Sequence, residues 1–206
     1  MKKLSSYLVI GCITALSTAG CGSNSSSDST QAAKDSNMTK MDSTGADTSG
    51  AGKMAAIPTT VSKSDQEFSV NTANAGMTEI NAATIAQQQA TDANVKKYAA
   101  MMIKDHTAAA DALKMVAAKK NLTLPANISP EMQQNLADLQ KKTGKDFDKA
   151  YMKMMVDDHK KVIKSFEDES KNGSDADLRA FADNTLHTLR HHLDEAQKCD
   201  KMLSKM

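Results

Sequence analysis

The chain has no tryptophan, and aromatic residues make up only 3% of its 206 positions. A core must therefore come from Ala, Leu, Val, Ile and the 14 methionines. That palette suits close-packed helices better than a sheet, and alternating apolar and polar runs are missing throughout. Cysteine is also scarce, at three. Cys12 sits in an N-terminal leader and Cys21 at its end, which leaves Cys199 alone and excludes an intramolecular disulfide. No charge of either sign dominates. The formal net charge is +1, and it falls to −1 once residues 1–20, with Lys2 and Lys3, are removed. Such balance argues against nucleic-acid binding, which needs a concentrated basic patch. No Gly-x-Ser-x-Gly elbow, His-Glu-x-x-His pair or phosphate loop is present, so nothing marks a hydrolase. The one long apolar run, Leu4 to Leu16, falls short of the ~20 residues a membrane-spanning helix needs.

That run follows Lys2 and Lys3 and leads through small residues into Cys21, the pattern of a secretory signal peptide. Its ending, Leu16-Ser17-Thr18-Ala19-Gly20-Cys21, resembles a bacterial lipoprotein lipobox. The resemblance implies cleavage after residue 20 and a lipid on the Cys21 sulfur, so that the chain is anchored to a membrane rather than spanning it. Gly22 after the cysteine favours the outer over the inner membrane, with the domain facing the periplasm. Residues 21–61 are rich in Ser, Thr, Gly, Asp and Ala, and read as a disordered tether. Met38, Met41 and Met54 lie in it without a pattern beyond linker composition.

Residues 62–206 read as helix. Ser64-Asp65-Gln66-Glu67 has the form of a capping box for a helix to about Gln89. Thr91 can cap a second helix, to about residue 120. A segment around Pro125 reads as extended, and Ser129-Pro130-Glu131 opens a short helix to about Lys142. Gly144 breaks the chain before a third long helix, about 145–171, which stops at Asn172-Gly173. Ser174 can cap a fourth, about 175–204. Four long helices predict an all-α four-helix bundle. The middle connection, about 24 residues with its own short helix, is long enough to cross it end to end. That wiring is ferritin-like.

Spacing of three and four marks a core seam on each helix. The first reads Phe68, Thr72, Ala75, Glu79, Ala82, Ala86. The second reads Val95, Ala99, Met102, His106, Ala109, Leu113, Val116. The third reads Met152, Met155, His159, Val162, Phe166. The fourth reads Leu178, Ala182, Thr185, Leu189, His192, Ala196, Cys199, Leu203. One strongly polar residue interrupts the middle of each seam: Glu79, His106, His159 and His192. A buried ionisable group is costly unless paired, hydrogen-bonded or metal-bound. Three imidazoles and a carboxylate suit Cu, Zn, Fe or Mn. Met102 and Met155, each four residues before a seam histidine, are possible auxiliary ligands that would favour copper, although methionines on a seam also simply pack. Asp105 and Asp158 each precede a seam histidine and are possible hydrogen-bond acceptors for it. The alternative is a purely hydrogen-bonded histidine core in a structural or interaction module. Counted from the hairpin joins at 1.5 Å per residue, Glu79 and His106 lie ~18–22 Å deep, His159 ~21 Å and His192 ~28 Å. These depths predict a loose cluster, or a site using only some of the four. His187 and His191 fall on the outer face.

The stretches Ser64-Asp65-Gln66-Glu67-Phe68, Gly76-Met77-Thr78-Glu79, Met101-Met102-Ile103-Lys104-Asp105-His106, Phe147-Asp148-Lys149-Ala150-Tyr151, Asp158-His159 and Thr188-Leu189-Arg190-His191-His192-Leu193 resemble the bacterial family called domain of unknown function 4142. The resemblance spans about 62–204. It implies a ferritin-like helical bundle and an envelope location, with no established activity. Di-iron ferritins use Glu-x-x-His pairs. This chain has none, which argues against iron storage and ferroxidase chemistry.

Overall fold

The computed structural model describes residues 28–42 and 61–205. The expected signal peptide, Cys21 and the rest of the expected tether lie outside the described residues. Six helices follow in order: α1 (Ser29–Asp42), α2 (Lys63–Gln89), α3 (Ala93–Lys119), α4 (Pro130–Gln140), α5 (Gly144–Asn172) and α6 (Ala176–Leu203). No strand occurs among the described residues, and no described helix is long and apolar enough to cross a membrane.

Helix α2 packs along α3 and α5 along α6, each pair forming a hairpin, and the pairs join through α2–α5 and α3–α6 contacts. Two buried carboxylates fix their relative direction. Asp148, near the start of α5, accepts hydrogen bonds from the backbone N–H groups of Thr91 and Asp92 at the α2–α3 turn, and from the Thr91 hydroxyl. Asp65, near the start of α2, accepts from the N–H groups of Ser174 and Asp175 at the α5–α6 turn. The two turns therefore lie at opposite ends of the molecule, α2 runs antiparallel to α5, and the connection from α3 to α5 travels the full length.

The same contacts explain where the helices start. Thr91 and Ser174 are occupied in their turns, and the capping oxygens come one residue later. Asp92 accepts from the N–H groups of Asn94 and Val95, and Asp175 from those of Asp177 and Leu178. At α2 the cap is Ser62 rather than Ser64, its hydroxyl accepting from Asp65 N–H. Ser129 caps α4 with Pro130 in the first turn, as its sequence predicts. Gly144 does not separate α4 from α5 but opens α5, at φ +55°, a left-handed conformation that glycine adopts at little cost.

Residues 29–42, read from composition as disordered tether, instead form α1 and dock by polar contacts. The Asn37 side chain donates to the Thr123 carbonyl at 2.9 Å and accepts from its N–H at 2.7 Å. The Ser29 hydroxyl accepts from the N–H groups of Ala126 and Asn127. Only Ala33 supplies a buried apolar side chain, so neither hydropathy nor periodicity shows this helix.

The core divides into two apolar clusters. One gathers the end near the α2–α3 turn, with Tyr98, Phe147 and Tyr151. The other gathers the opposite end, with Phe68, Phe166 and Phe181. On all four long helices the residue between the clusters is the polar seam interruption: Glu79, His106, His159 or His192.

Candidate metal centre

The structure brings all four together in the interior. Glu79 is 3% exposed, His106 6%, His159 0% and His192 1%. The imidazole centroids lie 5.2 Å apart for His106 and His192, 5.4 Å for His159 and His192, and 5.7 Å for His106 and His159. The loose cluster expected from depth counting is thus not what forms. Depths from the α2–α3 and α5–α6 turns run in opposite senses and meet near the middle of helices roughly 40 Å long. His159 and His192 share the α5–α6 turn, and the ~7 Å between their counted depths narrows because side chains tilt toward each helix's N-terminus, so in this antiparallel pair they lean toward each other.

Hydrogen-bond partners fix the tautomers. His159 Nδ1 lies 2.9 Å from the Met155 carbonyl, which only accepts, so Nδ1 carries the proton and Nε2 a lone pair. His192 Nε2 lies 3.1 Å from Asp105 Oδ2, so Nε2 donates to the carboxylate and Nδ1 carries the lone pair. His159 Nε2 and His192 Nδ1 then face each other at 3.4 Å with no proton left to share. His106 Nδ1 lies 3.1 Å from Glu79 Oε2. Glu79 Oε1 and His106 Nε2 are buried without a hydrogen-bond partner. One ring nitrogen from each of the three histidines lies within 4.8 Å of the other two, and this group could hold a metal ion.

Burial sets the charge state. Desolvation and the neighbouring imidazoles push His106 down to about 3, and desolvation with His192 pushes His159 down to about 4. His192 is also lowered by desolvation, against the pull of Asp105. The three rings are therefore neutral near pH 7, the form that ligates metal. Desolvation, with the charge of Asp158 adding to it, raises Glu79 to about 8. An incoming cation would displace that proton.

Of the auxiliary residues, Asp105 takes the orienting position on His192. Met102 and Met155 are fully buried in the apolar cluster beside Met152 and Tyr151; Met155 serves His159 through its carbonyl, not its thioether. His187 and His191 are exposed, as their register predicts. Asp158 acts on Glu79 through its charge, and nothing in the seam pattern singles it out for that role.

A cleft of about 280 Å³ adjoins the quartet, with Glu79 and His106 in its wall. The sequence signal for it is the row of small residues around mid-α2 and mid-α3, Ala73, Ala75, Gly76, Ala109 and Ala110, which reads as ordinary helix composition.

A family model described as Domain of unknown function (DUF4142) matches residues 50–199. No curated protein and no solved structure matches the chain.

Proposed function

The chain belongs to that family, and on this premise we propose that it is an envelope lipoprotein whose four-helix, ferritin-like bundle holds a transition-metal ion on Glu79, His106, His159 and His192. The observation that carries the reading is the pair of lone-pair nitrogens, His159 Nε2 and His192 Nδ1, facing each other at 3.4 Å. Two acceptors at that distance repel unless a cation lies between or beside them. The nearby orphan His106 Nε2 offers a third nitrogen, and Glu79 Oε1, also without a hydrogen bond, lies beside the three histidines, 3.5 Å from His159 Nδ1. That set matches Zn, Fe, Cu or Mn rather than Ca or Mg, which prefer oxygen alone. With Glu79 ionised, its Oε2 holds the His106 Nδ1 proton, and its Oε1 is free to ligate.

The helix wiring, with its end-to-end crossover, supports the ferritin-like assignment. The lipid anchor on Cys21 and the outer-membrane, periplasm-facing location rest on the leader sequence. Metal buffering, sensing or simple electron exchange are the roles such a buried centre suits. Elemental analysis of protein purified without a metal-binding tag tests the reading. Stoichiometric metal in the wild type, lost in both His106→Ala and His159→Ala, is the expected result. Equal metal content in all three proteins overturns it. A melting temperature indifferent to chelator would assign the quartet to a hydrogen-bonded core instead, because a ligand bound only to the native state must stabilise it.

A further inference from the structure

The four seams are not equally filled. Thr72, Ala75, Ala109, Val162 and Thr185 are seam positions on four different helices, yet none is buried. All five line the cleft beside the quartet. Along α2 no residue between Val70 and Thr78 is buried, a gap of two helical turns in the middle of a core helix. The void is therefore a level of the bundle's own core left unpacked, whereas protein interiors ordinarily close such space.

Gly76 lies in the same wall. A Cβ added there meets no atom within 4 Å, so no neighbour requires a glycine. Mid-helix glycine weakens a helix relative to alanine, and its effect here is to enlarge the cleft. An engineered apolar cavity of about 150 Å³ accepts benzene, and this cleft, at about 280 Å³, is nearly twice that size. Its walls include Leu113, Phe166, Phe181 and Leu189, with Leu124 and Pro125 covering one side. Polar residues line it too, among them Asn71, Lys114, Lys161 and Ser165, and Glu79 and His106 each carry a buried, unpartnered polar atom just behind the wall.

We propose that this cleft is a binding site for a small, mainly apolar molecule carrying a single hydroxyl, such as a phenol or a short-chain alcohol. The apolar body lies against Leu113, Phe166, Phe181 and Leu189, and the hydroxyl reaches Glu79 and His106. A hydroxyl both donates and accepts, so it can satisfy a carboxyl oxygen and an imidazole nitrogen together. It can equally approach a cation held there. The apolar fit does not depend on the metal.

Two probes with the same body separate shape from head group: 2-naphthol and naphthalene, measured by equilibrium dialysis on protein stripped of metal by chelator. Both bind saturably at one per chain, with 2-naphthol about tenfold tighter, the difference one hydrogen bond makes. Gly76→Leu fills the cleft and weakens both probes at least tenfold, while metal content and melting temperature are kept. Ala109→Leu repeats the test from α3 should the first variant fail to fold. Glu79→Ala removes the preference for 2-naphthol but retains naphthalene. No saturable binding of either probe, or unchanged binding in both cleft-filling variants, overturns the proposal. Because binding is read on metal-free protein, failure of the metal centre leaves this result standing.

Discussion

Asp65 and Asp148 each hold the turn of the hairpin to which they do not belong: Asp65 of α2 closes the α5–α6 turn, and Asp148 of α5 closes the α2–α3 turn. Both carboxylates are buried, at 0% and 1% exposure. The exchange ties the two hairpins together at both ends and so sets the levels at which the quartet residues meet. Replacing either Asp with Ala removes the acceptor of two backbone N–H groups. We expect each change to cost about 3 kcal/mol in denaturant unfolding, and a loss under about 1 kcal/mol would refute the clamp.

Acid should unfold the protein through its histidines. Burial holds His106 and His159 down to about 3 and about 4 in the fold, against the ordinary 6.5 of an imidazole. Below pH 6.5 the unfolded chain takes up protons that the folded chain refuses, so stability falls as pH drops from about 6.5 to about 4. Each ring contributes at most about 1.4 kcal/mol per pH unit over that window. His159→Phe should flatten the acid limb of a melting-temperature profile. An unchanged slope would show that the ring is not held neutral.

Glu169 works in the opposite sense. Desolvation, followed by the charges of Asp65, Asp168 and Asp175, raises it to about 7, above the ordinary 4.5. Its Oε1 is buried without a partner, and a Cβ at Gly173 would collide with its carboxyl group. The stability it contributes is present below pH 4.5 and lost as pH rises through 7. Glu169→Gln should therefore stabilise the protein at pH 8, by on the order of 1–3 kcal/mol, and have little effect at pH 4. Equal effects at both pH values would contradict the assignment.

One amide of α1 pairs with the backbone of its docking segment in both directions. Asn37 pairs with both backbone groups of Thr123, and the same connection carries Leu124 and Pro125 of the cleft wall. Asn37→Ala should speed hydrogen exchange at the Thr123 amide at least tenfold, corresponding to the loss of about 1.4 kcal/mol of local stability. Exchange as slow as in the wild type would mean that α1 is not held there.

Much of the long-helix framework was legible in the sequence, because apolar spacing of three and four survives any choice of partner. Helix ends were less legible. Thr91 and Ser174 look like caps, but distant aspartates use their backbone N–H groups, and Asp92 and Asp175 do the capping. The polar quartet stood out because each member breaks an apolar seam. Its compactness did not, since depth counted along one helix ignores both the end that a neighbour's turn occupies and the tilt of side chains toward each helix's N-terminus.

The sequence by itself determined that the described chain is helical, that Glu79, His106, His159 and His192 lie on core faces, and which family the chain resembles. These follow from local periodicity and motif, which each helix carries alone. Tertiary structure decided that α1 forms, through polar contacts with a segment more than 80 residues away. It also decided the tautomers, which depend on Asp105 and the Met155 carbonyl, and the open cleft. A void belongs to no single helix: it arises where small residues on several helices face one another, and only their packing shows it.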